Sequence, residues 1–112
     1  MGETSVAETA YIQSETELDE LIANESVLVV DCTASWCGPC KLVSPLIDQL
    51  NGAYSDRAQV RKLDLDQYKS VAKRFEIKSI PAVIFFKNGK PVETLVGAKT
   101  YEEYSTELEK HL

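Results

Sequence analysis

The stretch DCTASWCGPCK, residues 31–41, holds two cysteines three residues apart, Cys37 and Cys40, beside the chain's one tryptophan, Trp36. A pair at this spacing can supply half a metal site, close a structural bridge, or pass electrons by opening and closing a disulfide. A tetrahedral site needs four ligands, and only Cys32 and His111 remain as further soft candidates, with no second Cys-x-x-Cys. Three cysteines are too few, and odd in number, for a disulfide scaffold. The spacing favours redox chemistry, and no metal is expected.

The flanking pattern gives the two sulfurs different tasks. VLVVD, residues 27–31, suits a strand buried on both faces, while Leu42, Val43, Leu46, Ile47 and Leu50 recur at helical spacing. Cys37 therefore stands where a strand-to-helix loop meets the helix, and Pro39 fits the first turn because an N–H there is unpaired anyway. Free N–H groups and the helix dipole at that end stabilise a thiolate. Cys40 lies one turn deeper on the same face.

The expected reaction starts with attack by a surface Cys37 thiolate on a substrate disulfide. Cys40 then attacks the Cys37 sulfur, freeing the reduced substrate and closing a Cys37–Cys40 disulfide. Cys40 must first lose a proton in surroundings that disfavour its charge. Asp31, a carboxylate ending an apolar strand, is the candidate acceptor. The alternative for Asp31 is a strand-end residue turned to solvent.

The rest of the chain reads as elements that would position this loop. Thr9 to Ile12 is a short strand candidate, and SETE at 14–17 is a capping box for a helix running to about Ala23. The helix after the cysteines should kink at Pro45. Residues 58–66 read as a strand and 67–77 as a helix. Residues 82–86 and 91–96 form a hairpin around Asn88-Gly89, with Gly97 a bulge or close approach, and TYEE at 100–103 caps a terminal helix. Alternation of strands and helices implies an α/β single domain over residues 1–112, with residues 1–8 a loosely ordered extension. Lys69, Lys73 and Arg74 read as a wet helix face, Tyr101 and Tyr104 as packing, and His111 as a solvated residue in the last turn.

Twelve basic against eighteen acidic residues leave a net charge of −6, which gives no reason to expect nucleic acid or an anionic membrane as partner. The opening residues lack a basic stretch followed by an apolar one, so a cytoplasmic protein is expected, with a chloroplast stroma left open.

WCGPCK resembles the active site of the thioredoxin family. VVDCTASWCGPCK, Pro45, KLDLD, KSIPAVIFFKNGK and VGA follow in that family's order and spacing over nearly the whole chain. The likeness is nearest to the small stand-alone bacterial and chloroplast-type members, rather than to isomerases, whose motif usually carries histidine at the position of Pro39. It implies the thioredoxin fold, a central mixed β-sheet of about five strands flanked by about four helices. Cys37 then corresponds to the nucleophile, Cys40 to the resolving thiol, Asp31 to the buried aspartate and Lys62 to its neighbouring lysine. Pro81 corresponds to a cis-proline opposite the cysteines. Trp36, Gly38, Pro39, Ile80, Gly97 and Ala98 correspond to an apolar groove where an extended client segment pairs with the backbone at Ile80.

The implied activity is that of a protein-disulfide reductase serving cell redox homeostasis as a monomer without a cofactor. Its partners would be disulfide-containing clients and a thioredoxin reductase, NADPH- or ferredoxin-linked. Cys32 departs from the pattern, where an aromatic or other large apolar residue is common; strand alternation sends it away from Asp31, as an inert buried thiol. Two competing readings are a binding module with incidental cysteines and an oxidase or isomerase of an oxidising compartment. Retention of both cysteines, Asp31 and Lys62 argues against the first, and the Gly-Pro dipeptide against the second.

Overall fold

The computed structural model describes residues 8–112. Its elements run α1 (Glu15–Asn24), β1 (Val27–Thr33), α2 (Gly38–Tyr54), β2 (Gln59–Asp64), α3 (Lys69–Arg74), β3 (Ala82–Lys87), β4 (Lys90–Val96) and α4 (Tyr101–Glu109). They build one mixed sheet of order β2-β1-β3-β4, in which β1 and β2 run parallel and the other neighbours antiparallel. The apolar runs of β1 and β3 occupy the two central places, where both faces are covered. Asn88 and Gly89 both adopt positive φ, 50° and 86°, as the tight turn joining β3 to β4 requires.

Alternation along β1 sorts the core into two layers. Val27 and Val29 pack with Val43, Ile47 and Leu50 of α2 and with Tyr104 and Leu108 of α4. Leu28, Val30 and Cys32 pack on the other face with Leu18 of α1 and Val71 of α3. Odd-numbered positions of β1, Asp31 included, thus face α2 and α4. In α2, Cys40, Val43, Ile47, Leu50 and Tyr54 are the buried positions, and the helix continues through Pro45. Leu42, which shares the apolar sequence pattern, points outward and is 69% exposed.

Several elements differ from the sequence expectation. Thr9–Ile12 forms no fifth strand; it meets β2 at one parallel bridge, Tyr11 with Lys62, closed by Ile12 N–H to Lys62 O (2.8 Å) and Lys62 N–H to Ala10 O (3.0 Å). The chain must then turn into α1, which leaves no length for a ladder. Ser14 caps α1 by accepting the Glu17 N–H, but the Glu17 carboxylate takes the N–H of Gln13 rather than that of Ser14, so the box is half formed. The box at Thr100 and Glu103 closes in both directions.

The helix expected over 67–77 is only α3. It ends in a left-handed Glu76 (φ 58°), with Ile77 N–H bonded to Ala72 O and Glu76 N–H to Lys73 O, a cap usually marked by glycine. Gly97 follows β4 instead of interrupting it, and the irregularity in the hairpin lies at Phe85–Phe86. The extension expected over residues 1–8 falls, apart from the exposed Glu8, outside the described residues.

Candidate active site

Cys37 is the N-cap of α2, with extended backbone, and Pro39 lies in the first turn. The Cys37 sulfur accepts the N–H of Cys40 at 3.2 Å, one of the donors a helix start leaves free. The two sulfurs are joined in a disulfide, with Cα atoms 5.3 Å apart. Cys37 is 4% exposed and Cys40 2%, so the expected contrast between a surface and a deep sulfur is small. Ala34 and Ile80 pack against the pair, while Gly38 and Pro39 lie exposed around it.

Asp31 lies on the face of β1 covered by α2 and α4, and it is 1% exposed. The strand runs on to Thr33, which removes the reading of Asp31 as a solvent-facing strand end. Its Oδ1 has no hydrogen-bond partner among the described residues. Burial pushes the carboxyl up to about 7, with the Lys62 ammonium drawing it down and the Asp48 carboxylate pushing it up. It can therefore take or give a proton near neutral pH.

Lys62 stands opposite Asp31 in the β1–β2 register, as the sequence resemblance implies. Its ammonium, however, is bound to α2: Nζ lies 3.0 Å from Asp48 Oδ1 and donates to Ser44 Oγ at 2.6 Å. Asp48 also accepts the N–H of Thr9 at 3.1 Å. Burial tends to raise the Asp48 carboxyl, but the hydrogen bonds from Thr9 and Lys62 outweigh it and hold the group below the usual range. Neither Ser44 nor Asp48 was singled out in the sequence. The available signal was spacing, since Cys40, Ser44 and Asp48 follow at intervals of four along one helix ridge. A cleft of about 370 Å³, lined in part by Cys40, Ser44, Tyr11 and Asp64, opens beside that ridge.

The Ile80–Pro81 peptide bond is cis. Pro81 is buried, and its carbonyl accepts the N–H of Gly97 at 2.8 Å, a close approach made with Gly97 at φ 89°. Trp36 is 70% exposed, and its indole N–H donates to Asp66 Oδ1 at 3.0 Å, a second partnership the sequence did not announce. Trp36, Leu65, Asp66, Ile77 and Ile80 line a cleft of about 450 Å³ beside the disulfide. Of the groove residues implied by resemblance, Trp36 and Ile80 share this cleft. Gly97 bonds to Pro81 outside this cleft, and Gly38, Pro39 and Ala98 are surface positions that do not line it either.

Cys32 is fully buried on the opposite face, and burial, aided by the Asp31 charge, pushes its thiol far up. His111 is not the solvated residue expected: Nε2 lies 3.0 Å from Glu107 Oε2 and the ring leans on Phe85. Tyr104 is fully buried and Tyr101 packs on the same core cluster, as expected. Lys69, Lys73 and Arg74 are exposed, and Arg74 pairs with Asp19 at 2.7 Å.

Two sulfurs that bond within one helical turn, in a fold that also buries a carboxyl able to exchange protons near neutral pH, suit dithiol–disulfide exchange, and the chain is a thiol–disulfide oxidoreductase. The family model described as Thioredoxin matches residues 9–110. The chain belongs to the thioredoxin family. It is 42% identical to a thioredoxin of Staphylococcus haemolyticus over 99 residues, which span 88% of this chain and 94% of that one. Among solved structures, a mutant thioredoxin from Halobacterium salinarum superposes with a TM-score of 0.86 at 30% identity, over 98% of this chain and 96% of that one. A thioredoxin of Plasmodium falciparum gives 0.85 at 31% identity, over 93% and 100%.

Proposed function

We propose that this protein reduces protein disulfides with Cys37 as the attacking thiolate and Cys40 as the resolving thiol. The Cys37 thiolate bonds to one sulfur of a client disulfide, and the other client sulfur leaves and takes a proton. Cys40 then gives up its proton to Asp31 and attacks Cys37, so that the client leaves fully reduced and the pair is oxidised. Two electrons pass from the pair to the client. The observation that carries the order of attack is the Cys40 N–H directed at the Cys37 sulfur, which stabilises negative charge on Cys37.

Lys62 tempers the charge of Asp31 in this reading, and Pro81 with Ile80 presents backbone to an extended client segment. Trp36, Gly38, Pro39, Gly97 and Ala98 form the rest of the docking surface. A thioredoxin reductase, NADPH- or ferredoxin-linked, returns the electrons. The protein works as a monomer in the cytoplasm or an equivalent reducing compartment.

The test is insulin disulfide reduction with dithiothreitol as electron source, run on wild type and on Cys37→Ser. Fast reduction that disappears in the variant is expected. Equal rates in the two proteins, or none in a wild type whose disulfide dithiothreitol demonstrably opens, would refute the assignment.

A further inference from the structure

We propose that Asp48 and Ser44 are positioning residues for the proton on Asp31: they hold the Lys62 ammonium on α2, away from the Asp31 carboxyl, so that this carboxyl exchanges its proton without an ion-pair partner. The inference rests on reading the cysteine pair as a dithiol–disulfide site and adds to it a device that sets the site's proton acceptor.

The register of the sheet makes the observed arrangement unexpected. Asp31 and Lys62 are direct neighbours on parallel strands, so their side chains leave the sheet on the same face. A buried carboxylate beside a buried ammonium would ordinarily close a contact pair, since each is costly to bury alone. Here the Lys62 ammonium instead lies 3.0 Å from Asp48 Oδ1 and 2.6 Å from Ser44 Oγ, while Asp31 Oδ1 is left without a partner among the described residues.

The ammonium is fixed at both ends. Its backbone is held by the two hydrogen bonds of the Tyr11 bridge, and its acceptor Asp48 is held by the N–H of Thr9. The side chain of Lys62 is only 7% exposed, so water competes poorly for it. Ser44 and Asp48, one helical turn apart, present their oxygens from a single ridge, and Cys40 begins the same ridge one turn earlier. The segment that binds Asp48 and the β2 backbone thus also fixes the charge nearest the resolving thiol's proton acceptor.

The placement has a chemical consequence. A cation in direct contact lowers a carboxyl pKa by about 1–3. Such a contact would leave Asp31 anionic throughout the neutral range and unable to return its proton. Held off, Lys62 moderates the carboxyl without claiming it, and the Asp48 charge acts in the opposite sense. The other titratable neighbours are Tyr104 from α4 and Cys32 on the same strand, both of which burial keeps in their neutral forms, and the register partner on β3 is the apolar Val83.

The experiment is a site-resolved titration of the Asp31 carboxyl carbon by NMR in the oxidised full-length protein. It compares wild type, Asp48→Asn, Ser44→Ala, and Asp48→Asn made in a Lys62→Met background. Asp48→Asn should raise the acid dissociation constant of Asp31 about tenfold, because the freed ammonium turns toward it. Ser44→Ala should act in the same direction by about threefold, and it alone decides the matter if Asp48→Asn does not fold. In the Lys62→Met background the Asp48→Asn effect should shrink to less than about threefold, since only the direct charge of Asp48 remains.

An unchanged Asp31 titration in both single variants would overturn the proposal. So would an equal shift with and without Lys62, which would make Asp48 a plain neighbouring charge. Because the titration needs no turnover, its result is independent of insulin reduction. An inactive wild type would refute the redox reading while the titration still judged the anchor.

Discussion

The backbone N–H of Cys40 donates to the sulfur of Cys37 across 3.2 Å, so that, in the proposed order of attack, the resolving residue also helps to activate the attacking one. A helix-start sulfur that receives an N–H is the better thiolate, and the sulfur one turn further along lacks that donor. Cys40→Ser leaves the donor in place and should accumulate covalent complexes with client proteins, visible as shifted bands on non-reducing gels. Cys37→Ser should accumulate few. Equal trapping by the two variants would reverse or dissolve the assigned order.

Asp31 links the chemistry to stability. Its carboxyl is pushed up to about 7 in the fold, against about 3.9 in an unfolded chain. Between those limits the native state binds more protons than the unfolded one, so stability falls as pH rises from about 4 to about 7 and stays reduced above that. The integrated cost is at most about 4 kcal/mol. Asp31→Asn removes the ionisation and should therefore be more stable than wild type at about pH 8, with the gain fading toward about pH 4. Urea unfolding of the oxidised proteins at a series of pH values measures this; a gain that grows toward acid pH would contradict it.

The same substitution should slow resolution. Without a carboxylate to accept the Cys40 proton, mixed-disulfide breakdown at neutral pH should drop by about a hundredfold, the low end of the usual worth of a positioned base. Stopped-flow measurement across about pH 6 to 9 reads it. A rate profile identical to wild type would remove Asp31 from the proton path.

Much of this arrangement was legible in the sequence, because its signals are local or periodic. VLVVD announced a central strand, Asn88-Gly89 a tight hairpin turn, and Cys37 before Pro39 a helix start. What escaped lacked such a signal. Glu76 takes a left-handed cap position without being glycine, so the pattern overran the end of α3. Thr9–Ile12 has strand composition, yet only one bridge pair forms before the turn into α1. His111 looked free because its partner, Glu107, is one of many acidic residues. The resemblance implies that Lys62 neighbours Asp31, and the two stand opposite in register, but the destination of its ammonium depends on Ser44 and Asp48 across the layer, which one-dimensional spacing does not reveal.

Cys32 provides a test of the two-layer core. It is fully buried on the α1 and α3 face, and its thiol is held neutral by burial and by the neighbouring Asp31 charge. In a Cys37→Ser, Cys40→Ser double variant, iodoacetamide should leave the native chain unmodified and label one thiol after denaturation. Cys32→Ser should lower stability by about 1–3 kcal/mol, because a hydroxyl there has no evident partner, while insulin reduction stays near wild type. Native labelling would mean that this layer opens readily.

Trp36 is the last case, since its exposure would be costly were its orientation free. Its indole N–H is held by Asp66 at 3.0 Å, on the rim of the cleft that also contains Ile80. A hydrogen bond to a charged group is worth about 1.5–3 kcal/mol, less where solvent reaches it, so losing this one should cost binding about 1 kcal/mol. Asp66→Ala should accordingly raise KM for a protein disulfide by about fivefold. Reduction of a small aromatic disulfide, which needs no extended docking surface, should change far less. A parallel loss on both substrates would place the effect in the cysteine chemistry, and no loss on either would mean that clients do not depend on the fixed ring of Trp36.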